Sequence, residues 1–262
     1  MQQRHKDRKI YFQEQAQTSR AFYLDYVRRH MTVTDTSRVL EVGCGEGGNL
    51  LPFAELGCEV TGVDIKEEQV ENARRFFSEA GREATFVASD FMALPAPVTD
   101  EARFDLVLVH DVVEHIEPPY KRQFVEHLRD FMRPEALVFF AFPAWQMPFG
   151  GHQQICHSCL SRLPYIHLLP VPLYRGLLRM TRESEAMIEE LLSIKRAKMP
   201  VERFERLVRQ SGMTIADKTY WLINPHYQQK FGLRPRKEHW PFTKLVGLRN
   251  FYTTSAWYMC SR

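Results

Sequence analysis

The stretch RVLEVGCGEGGNL, residues 38–50, decides the fold of this 262-residue chain. It leads from an apolar run through a cluster of glycines into a segment of helical composition. Gly43, Gly45 and Gly48 satisfy the spacing G-x-G-x-x-G, which lets a strand-to-helix turn approach a ligand closely. Asp64 follows at the distance where an acid that binds ribose hydroxyls is expected. The sequence therefore predicts a nucleoside-bearing ligand over this turn.

Strand and helix patterns alternate on both sides of this stretch. The predicted strands are 39–42, 58–65, 84–89, 104–110 and 136–142, separated by helices at 49–57, 66–81 and 118–132. This alternation is typical of a parallel sheet that helices cover on both faces. Two later segments, 213–223 and 250–260, also have strand composition. We predict an α/β fold, a doubly wound, mostly parallel seven-stranded sheet with helical insertions.

Three features distinguish between the nucleoside cofactors that such a turn can hold. Glu41 lies inside the first strand, where a buried acid is unfavourable beside a pyrophosphate and favourable beside a cationic sulfonium. Ser89, Asp90 and Phe91 end the third strand, where an acid and a ring are suited to an adenine. The second βαβαβ half of a dinucleotide-binding dehydrogenase does not follow. These features favour a sulfonium cofactor over NAD.

The segments EVGCGEGG, GVDI, ASDF and FDLVLVHDVVEHI, in this order and spacing, resemble the class I S-adenosylmethionine-dependent methyltransferases. The resemblance is greatest to the branch that acts on small molecules, and it covers residues 36–143 well. It implies S-adenosyl-L-methionine as cofactor, bound by a set that we list as Glu41, Gly43, Cys44, Gly45, Asp64, Ile65, Ser89, Asp90, Phe91 and His110.

The resemblance also implies a role for individual members of this set. Asp64 would bind the ribose hydroxyls and Ile65 would pack on the adenine. Asp90 would accept a hydrogen bond from the adenine amine, and Phe91 would cover the adenine ring. Glu41 and His110 would face the methionine portion of the cofactor.

The segment HDVVEHI, residues 110–116, offers side chains for chemistry on the methyl acceptor. Asp111, Glu114 and His115 resemble the acid-x-x-Glu-His metal motif of some O-methyltransferases, including those of ubiquinone synthesis and of small-RNA 3′-end methylation. The first acid here is the shorter Asp, and a Glu-His pair also caps and packs a following helix. We therefore assign no metal site, and coordination, with His152 as a further ligand, stays an open alternative. His152 and His115 are the candidate catalytic residues.

The resemblance and the composition together suggest four parts. They are an N-terminal helical segment 1–35, which carries one amphipathic helix at 12–30; a cofactor-binding core 36–143; an insertion 144–199 that lids an acceptor pocket; and a C-terminal part of the core, 200–262, with an insertion 224–249. Residues 1–143 hold 17 Lys and Arg against 24 Asp and Glu, and the remainder hold 18 against 8. The basic half suits an anionic acceptor or surface.

Two segments of the insertions leave alternatives open. KFGLRPRKEHW, residues 230–240, is basic and suits phosphate or carboxylate groups on an acceptor, or RNA. Residues 163–180 are apolar and suit a lid, a membrane surface or a dimer contact, although a buried subdomain is the preferred interpretation. The sequence contains no recognised RNA-binding module, so a nucleic-acid partner is not expected. It does not predict the oligomeric state.

The sequence contains no uncharged apolar stretch of membrane-spanning length and no apolar core of a signal peptide near its start. Five scattered cysteines argue for a reducing, cytoplasmic location. We predict an S-adenosylmethionine-dependent methyltransferase that methylates oxygen or nitrogen of a small, anionic metabolite. The alternatives are an RNA or protein methyltransferase, and a non-catalytic binding module that has lost the cofactor.

Overall fold

The computed structural model describes residues 7–262, which contain a single eight-stranded sheet. Its strands are β1 (Arg38–Val42), β2 (Glu59–Asp64), β3 (Thr85–Ala88), β4 (Phe104–His110), β5 (Met132–Phe142), β6 (Thr214–Ile223), β7 (Arg236–Lys237) and β8 (Ser255–Ser261). The strand order is β3-β2-β1-β4-β5-β8-β6-β7. The first five strands are parallel, whereas β8 is antiparallel to both β5 and β6. The predicted doubly wound α/β fold is confirmed.

Helices cover both faces of the sheet because apolar side chains alternate along its strands. In β4, Leu106 and Leu108 point to one face, while Val107 and Val109 point to the other. The helices are α1 (Arg8–Thr18), α2 (Leu24–Arg28), α3 (Leu51–Glu55), α4 (Glu67–Glu79), α5 (Lys121–Asp130), α6 (Val171–Met180), α7 (Glu185–Ala197), α8 (Val201–Gln210) and α9 (His226–Phe231). Helices α1, α3 and α4 pack on the leucine face, and α5 and α8 pack on the valine face.

The strand count corrects the prediction of seven strands. The extra strand, β7, comes from the insertion 224–249 and pairs with Trp221 and Ile223 of β6. It contains two basic residues at the edge of the sheet, so it has no hydrophobic alternation from which a strand is predicted.

The N-terminal segment is also less regular than the single helix predicted over 12–30. A π-helical turn, Ser19–Tyr23, separates α1 from α2. Such a turn inserts one extra residue and changes the direction of the side chains that follow it. Tyr23 and Tyr26 then both pack against Phe139 and Trp257 on the sheet.

The insertion after β5 has an apolar cluster of its own. Short 3₁₀ turns lead into α6 and α7. The buried residues of this cluster are Cys156, Leu160, Tyr174, Leu178, Ile188, Leu191 and Leu192. None of the helices in residues 7–262 is both long and apolar enough to cross a bilayer.

Candidate active site

The loop after β1 has backbone conformations that favour glycine. Gly43 and Gly45 have φ angles of +73° and +54°. A Cβ on Gly43 would overlap Cγ2 of Val112, in the loop after β4. A Cβ on Gly45 would meet only Oε1 of Gln69, at 3.8 Å. Packing between two loops therefore requires a glycine at position 43, whereas a Cβ at position 45 would meet no close neighbour.

Asp64, at the end of β2, lies against this glycine loop. The backbone N–H groups of Gly45 and Lys66 donate to its Oδ2 and Oδ1, each at 2.9 Å. These bonds orient the carboxylate and leave a further lone pair on each oxygen for a ligand. The next residue, Ile65, is 71% exposed although its side chain is large and apolar. An acid and an uncovered apolar side chain thus border the space beside Gly45.

Glu41 is a buried acid beneath the same loop. The side-chain amide of Asn49 donates to its Oε1 at 2.7 Å, and Oε2 has no partner in the described part of the chain. Burial raises the pKa of Glu41 to about 8, and the bond from Asn49 opposes this effect. An unpaired buried oxygen is unfavourable. A cation placed beside Glu41 would restore its charged form.

The side chains of Phe91 and Cys44 correct part of the predicted cofactor site. Phe91 is 5% exposed, and its ring packs against Phe124 and Phe131 beneath the sheet edge. The prediction that this ring covers an adenine therefore does not hold, because the core already encloses it. The thiol of Cys44 is buried and points at Gly62 of β2, so it also belongs to the core.

Ser89 and Asp90 follow β3 at the rim of the site. Asp90 is exposed, and its Oδ1 accepts a hydrogen bond from the backbone N–H of Met92 at 3.0 Å. The hydroxyl of Ser89 donates to the carbonyl oxygen of Asp90 at 3.3 Å. Asp90 thus caps a turn through its Oδ1.

The N-terminal helices lie against the glycine loop and the end of β4, a position that no sequence pattern predicted. The hydroxyl oxygen of Tyr23 lies 2.7 Å from Nε2 of His110, at the end of β4. Arg8 pairs with Glu46 of the glycine loop at 2.5 Å. Burial, and then the charge of Asp111, raise the pKa of Tyr11 above its usual value. The aromatic spacing predicted an amphipathic helix, but no pattern indicated what its tyrosines face.

Glu114, His115 and His152 come together beside these groups. The potential ligand atoms of the three side chains lie within 4.8 Å of one another, and the two imidazole rings meet edge to face. Both carboxyl oxygens of Glu114 are buried without a partner in the described chain, and burial raises its pKa well above the usual range. Within residues 7–262, this is the single group of three such side chains.

The environment of this cluster fixes the charge of its members. Burial lowers the pKa of His152 to about 3, with further contributions from His115, His167 and Lys230. His152 is therefore neutral near pH 7, and its backbone has a left-handed φ of +56°. Lys121 donates to the carbonyl oxygen of Val113, and burial lowers its pKa to about 8.

The cluster adjoins the glycine loop directly. Asp111 and Val112 connect β4 to Glu114, and Val112 is the side chain that packs against Gly43. Burial, and then the charge of Asp111, raise the pKa values of both Tyr23 and Glu114. Oδ2 of Asp111 lies 3.6 Å from Nδ1 of His110. The glycine loop and the loop that carries Glu114 and His115 are therefore direct neighbours.

Residues 39–135 match the family model described as a methyltransferase domain. A ubiquinone biosynthesis O-methyltransferase from Roseobacter denitrificans is 28% identical over 192 residues, 72% of this chain and 64% of that relative. A relative of the same name from Idiomarina loihiensis is 31% identical over 120 residues, 45% of this chain and 47% of that relative. The chain thus spans less than two thirds of the length of these relatives.

Solved structures share the fold across most of the chain. Magnesium protoporphyrin IX methyltransferase from Synechocystis PCC 6803, with bound SAH, has a TM-score of 0.57 at 14% identity, covering 95% of this chain and 83% of its own. A S-adenosylmethionine-dependent methyltransferase from Clostridium acetobutylicum has a TM-score of 0.57 at 11% identity, covering 94% and 91%. At these identities the likeness shows the fold.

Proposed function

Because the core of this chain belongs to the class I S-adenosylmethionine-dependent methyltransferases, as its motifs predict, we propose that it methylates a hydroxyl group of a small molecule. The observation that carries this proposal is the packing of Gly43 against Val112. It joins the glycine loop to the cluster of Glu114, His115 and His152, so that a methyl donor and an acceptor would meet there. The relatives named above are O-methyltransferases, which favours oxygen over nitrogen as the methylated atom.

The residues at the glycine loop would bind and orient the cofactor. Asp64 would accept hydrogen bonds from the two ribose hydroxyls, and Ile65 would pack on the adenine. Glu41, held by Asn49, would stabilise the positive charge of the methionine portion. When bound, S-adenosylmethionine supplies an activated methyl group on a cationic sulfur. The protein then contributes mainly alignment and exclusion of water.

The cluster would prepare the acceptor hydroxyl. Neutral His152 and Glu114 would orient the hydroxyl oxygen towards the methyl carbon. A carbon–oxygen bond would form as the carbon–sulfur bond breaks, with its electron pair left on the sulfur of S-adenosylhomocysteine. His115 would take the hydroxyl proton and release it to water, since its side chain is 41% exposed. The insertion 144–199, which provides His152, would form the lid of this acceptor pocket.

The donor set of the cluster also fits a divalent cation. Two imidazoles and a carboxylate whose oxygens lack partners in residues 7–262 are common ligands of transition metals. Glu114, His115 and His152 would hold such an ion, which would lower the pKa of a hydroxyl bound to it. We treat the ion as an alternative way for the same three side chains to remove the proton.

The test is methyl transfer from labelled S-adenosylmethionine to a panel of small phenols, hydroxy acids and amines. Glu114→Gln should reduce turnover about 100-fold and leave the affinity for S-adenosylhomocysteine unchanged, because Glu114 lies at the acceptor end. Glu117→Gln is the matched control, since Glu117 pairs with Arg196 and Ser193 and is not a member of the cluster. It should retain full turnover.

Two outcomes contradict this proposal. Calorimetry that detects no S-adenosylhomocysteine binding would favour the non-catalytic binding module. Equal turnover of Glu114→Gln and the parent protein would show that the cluster takes no part in the reaction.

Dialysis against EDTA, followed by addition of Mg²⁺, Mn²⁺ or Zn²⁺, distinguishes ion-dependent from ion-free methyl transfer. Bulk tRNA in the same panel tests the nucleic-acid alternative.

A reducing compartment such as the cytoplasm fits this proposal. All five cysteines are free thiols, and four of them are buried. The expected acceptor is small and anionic because the insertions carry an excess of basic side chains.

A further inference from the structure

The segment 238–251, in the insertion between β6 and β8, turns polar side chains inwards and apolar side chains outwards. The buried polar residues are Glu238, Arg249 and Asn250, all at most 9% exposed. The outward apolar residues are Trp240 (78% exposed), Phe242 (56%), Leu245 (40%), Val246 (71%) and Leu248 (60%). We call these five side chains the apolar surface. This orientation is the reverse of that in an ordinary surface loop.

Buried polar contacts hold the segment in this orientation. Arg249 pairs with Glu202 of α8 at 3.0 Å, and the amide of Asn250 donates to the same carboxylate at 2.7 Å. The hydroxyl of Thr253 donates to Glu238 at 2.6 Å. Turning the segment over would break these contacts and leave buried charges unpaired. The exposure of the apolar surface is therefore imposed by the fold.

Basic side chains accompany the apolar surface. Residues 224–251 contain six Lys and Arg and one acid, Glu238, which is buried. Arg234, Arg236 and Lys244 are exposed in the same stretch. The outer face of the insertion therefore combines large apolar side chains with positive charge and has no exposed acid.

We propose that the apolar surface docks the protein on a bilayer that contains anionic lipids. Trp240 would lie at the level of the headgroups, where tryptophan is favoured, with Phe242 and Val246 reaching into the acyl boundary. Arg236 and Lys244 would meet the negative headgroups.

The charge pattern argues against a second copy of the chain as the occupant. A two-fold dimer places the same patch on both subunits, so the basic side chains would face one another across the contact. Like charges opposed at an interface are unfavourable. An anionic lipid surface is complementary to the patch, because its negative headgroups attract the basic side chains.

The docking surface is connected to the site of methyl transfer. The same insertion begins with α9, whose His226 Nδ1 lies 3.1 Å from the hydroxyl of Thr18 in α1, the helix that covers the glycine loop. The hydroxyl of Tyr165, in the insertion after β5, donates to the carbonyl oxygen of Phe251 at 3.3 Å. Both insertions therefore share one edge of the molecule.

The experiment is sedimentation of the full chain with vesicles, which requires neither cofactor nor acceptor. The protein should sediment with vesicles of phosphatidylcholine and phosphatidylglycerol and remain in solution with phosphatidylcholine alone. Raising the salt concentration should release it, because headgroup attraction is screened. Val246→Glu should weaken binding about tenfold or more, since it places a negative charge at the lipid boundary.

Val98→Glu is the matched control. Val98 is 93% exposed in the loop before β4, outside the two insertions, so the same substitution there should leave vesicle binding unchanged. Both variants should unfold at the temperature of the parent protein, which excludes a folding defect.

Three results would overturn the lipid assignment. The first is absence of the parent protein from the anionic vesicle pellet. The second is equal binding by Val246→Glu and the parent. The third is a concentration-dependent dimer in sedimentation velocity that Val246→Glu dissociates, since that result assigns the apolar surface to a second copy.

Discussion

Glu41 and Glu114 are both buried acids near the carboxyl ends of neighbouring strands, β1 and β4, yet their surroundings differ. Glu41 accepts a hydrogen bond from Asn49 and keeps one unpaired oxygen. Neither oxygen of Glu114 has a hydrogen-bond partner within the described chain, and Nε2 of His115 lies 4.0 Å from its Oε1. Burial raises the pKa of both groups. At the Glu41 end of the site the chain thus supplies a hydrogen-bond donor to the acid, whereas at the Glu114 end residues 7–262 supply none.

The difference shows how each end is built. The contacts around Glu41 and Asp64 join residues of one strand–loop–helix unit and the next strand, so local backbone geometry creates them. The contacts around Glu114 join a loop after β4 to His152, which follows β5 and a further loop. The geometry around Glu41 and Asp64 is therefore determined by the local motif, whereas the geometry around Glu114 is determined by the whole fold.

The largest expected effect is a difference in stability between alanine substitutions at two glycines of the loop after β1. Gly43→Ala should lower the free energy of unfolding by about 3 kcal/mol, because it combines a left-handed φ with overlap on Val112. Gly45→Ala should cost only about 1 kcal/mol, from its φ alone, and should still weaken S-adenosylhomocysteine binding. Urea unfolding and calorimetry measure both quantities. Equal losses of stability would show that Val112 does not tie the two loops together.

The next effect concerns the charge of Glu41. Its pKa of about 8 in the folded protein exceeds that of an unfolded glutamate. The folded state then keeps a proton that the unfolded chain releases, so stability without cofactor should fall by about 2 kcal/mol as the pH rises from about 6 to about 8. Glu41→Gln should remove this part of the slope, measured by urea unfolding at several pH values.

Cofactor binding gives an independent measure of the same group. A positive charge beside Glu41 favours the carboxylate, so S-adenosylmethionine binding near pH 7 should release a proton. Calorimetry in buffers of different ionisation enthalpy detects this proton in the parent protein. Release of the same number of protons by Glu41→Gln would assign the titration to another group.

The smallest effect sharpens the assignment of the adenine end. Ile65→Ala should weaken S-adenosylhomocysteine binding about threefold to fivefold with no loss of stability, because Ile65 is exposed. Phe91→Leu should lower stability by about 1 kcal/mol and leave affinity unchanged, because its ring lies in the core. The opposite pattern would return Phe91 to the cofactor site.

Much of the fold was predictable because its determinants are local. The strand over 104–110 was predicted with its observed bounds, since an apolar run that is uncharged after Asp105 and lies between turn signals has few alternatives. The doubly wound sheet is confirmed, and residues 39–135 match a methyltransferase domain, as the motifs in this part of the chain indicated. The edge strand β7 and the π-helical turn at Ser19–Tyr23 were missed, because both depend on contacts with other elements.

The site was predictable only where neighbours in sequence are neighbours in space. Asp64 was identified from its distance to the glycines, but the direction in which Phe91 points depends on α5, which follows later in the chain. His115 and His152 were predicted as the candidate catalytic residues, but their edge-to-face contact could not be predicted, because it arises from the path of the loop after β5. Tyr11 and Tyr23 carried no motif, and their position follows from how α1 packs on the glycine loop.

The helix α1 has a kinetic consequence through its ion pair from Arg8 to Glu46 and its packing on the glycine loop. Residues 8–23 pack beside the glycine loop, so release of a product bound there would require these contacts to open first. We expect product exchange to proceed at the frequency with which this terminal segment detaches. Truncating it would then accelerate release while weakening retention of the donor.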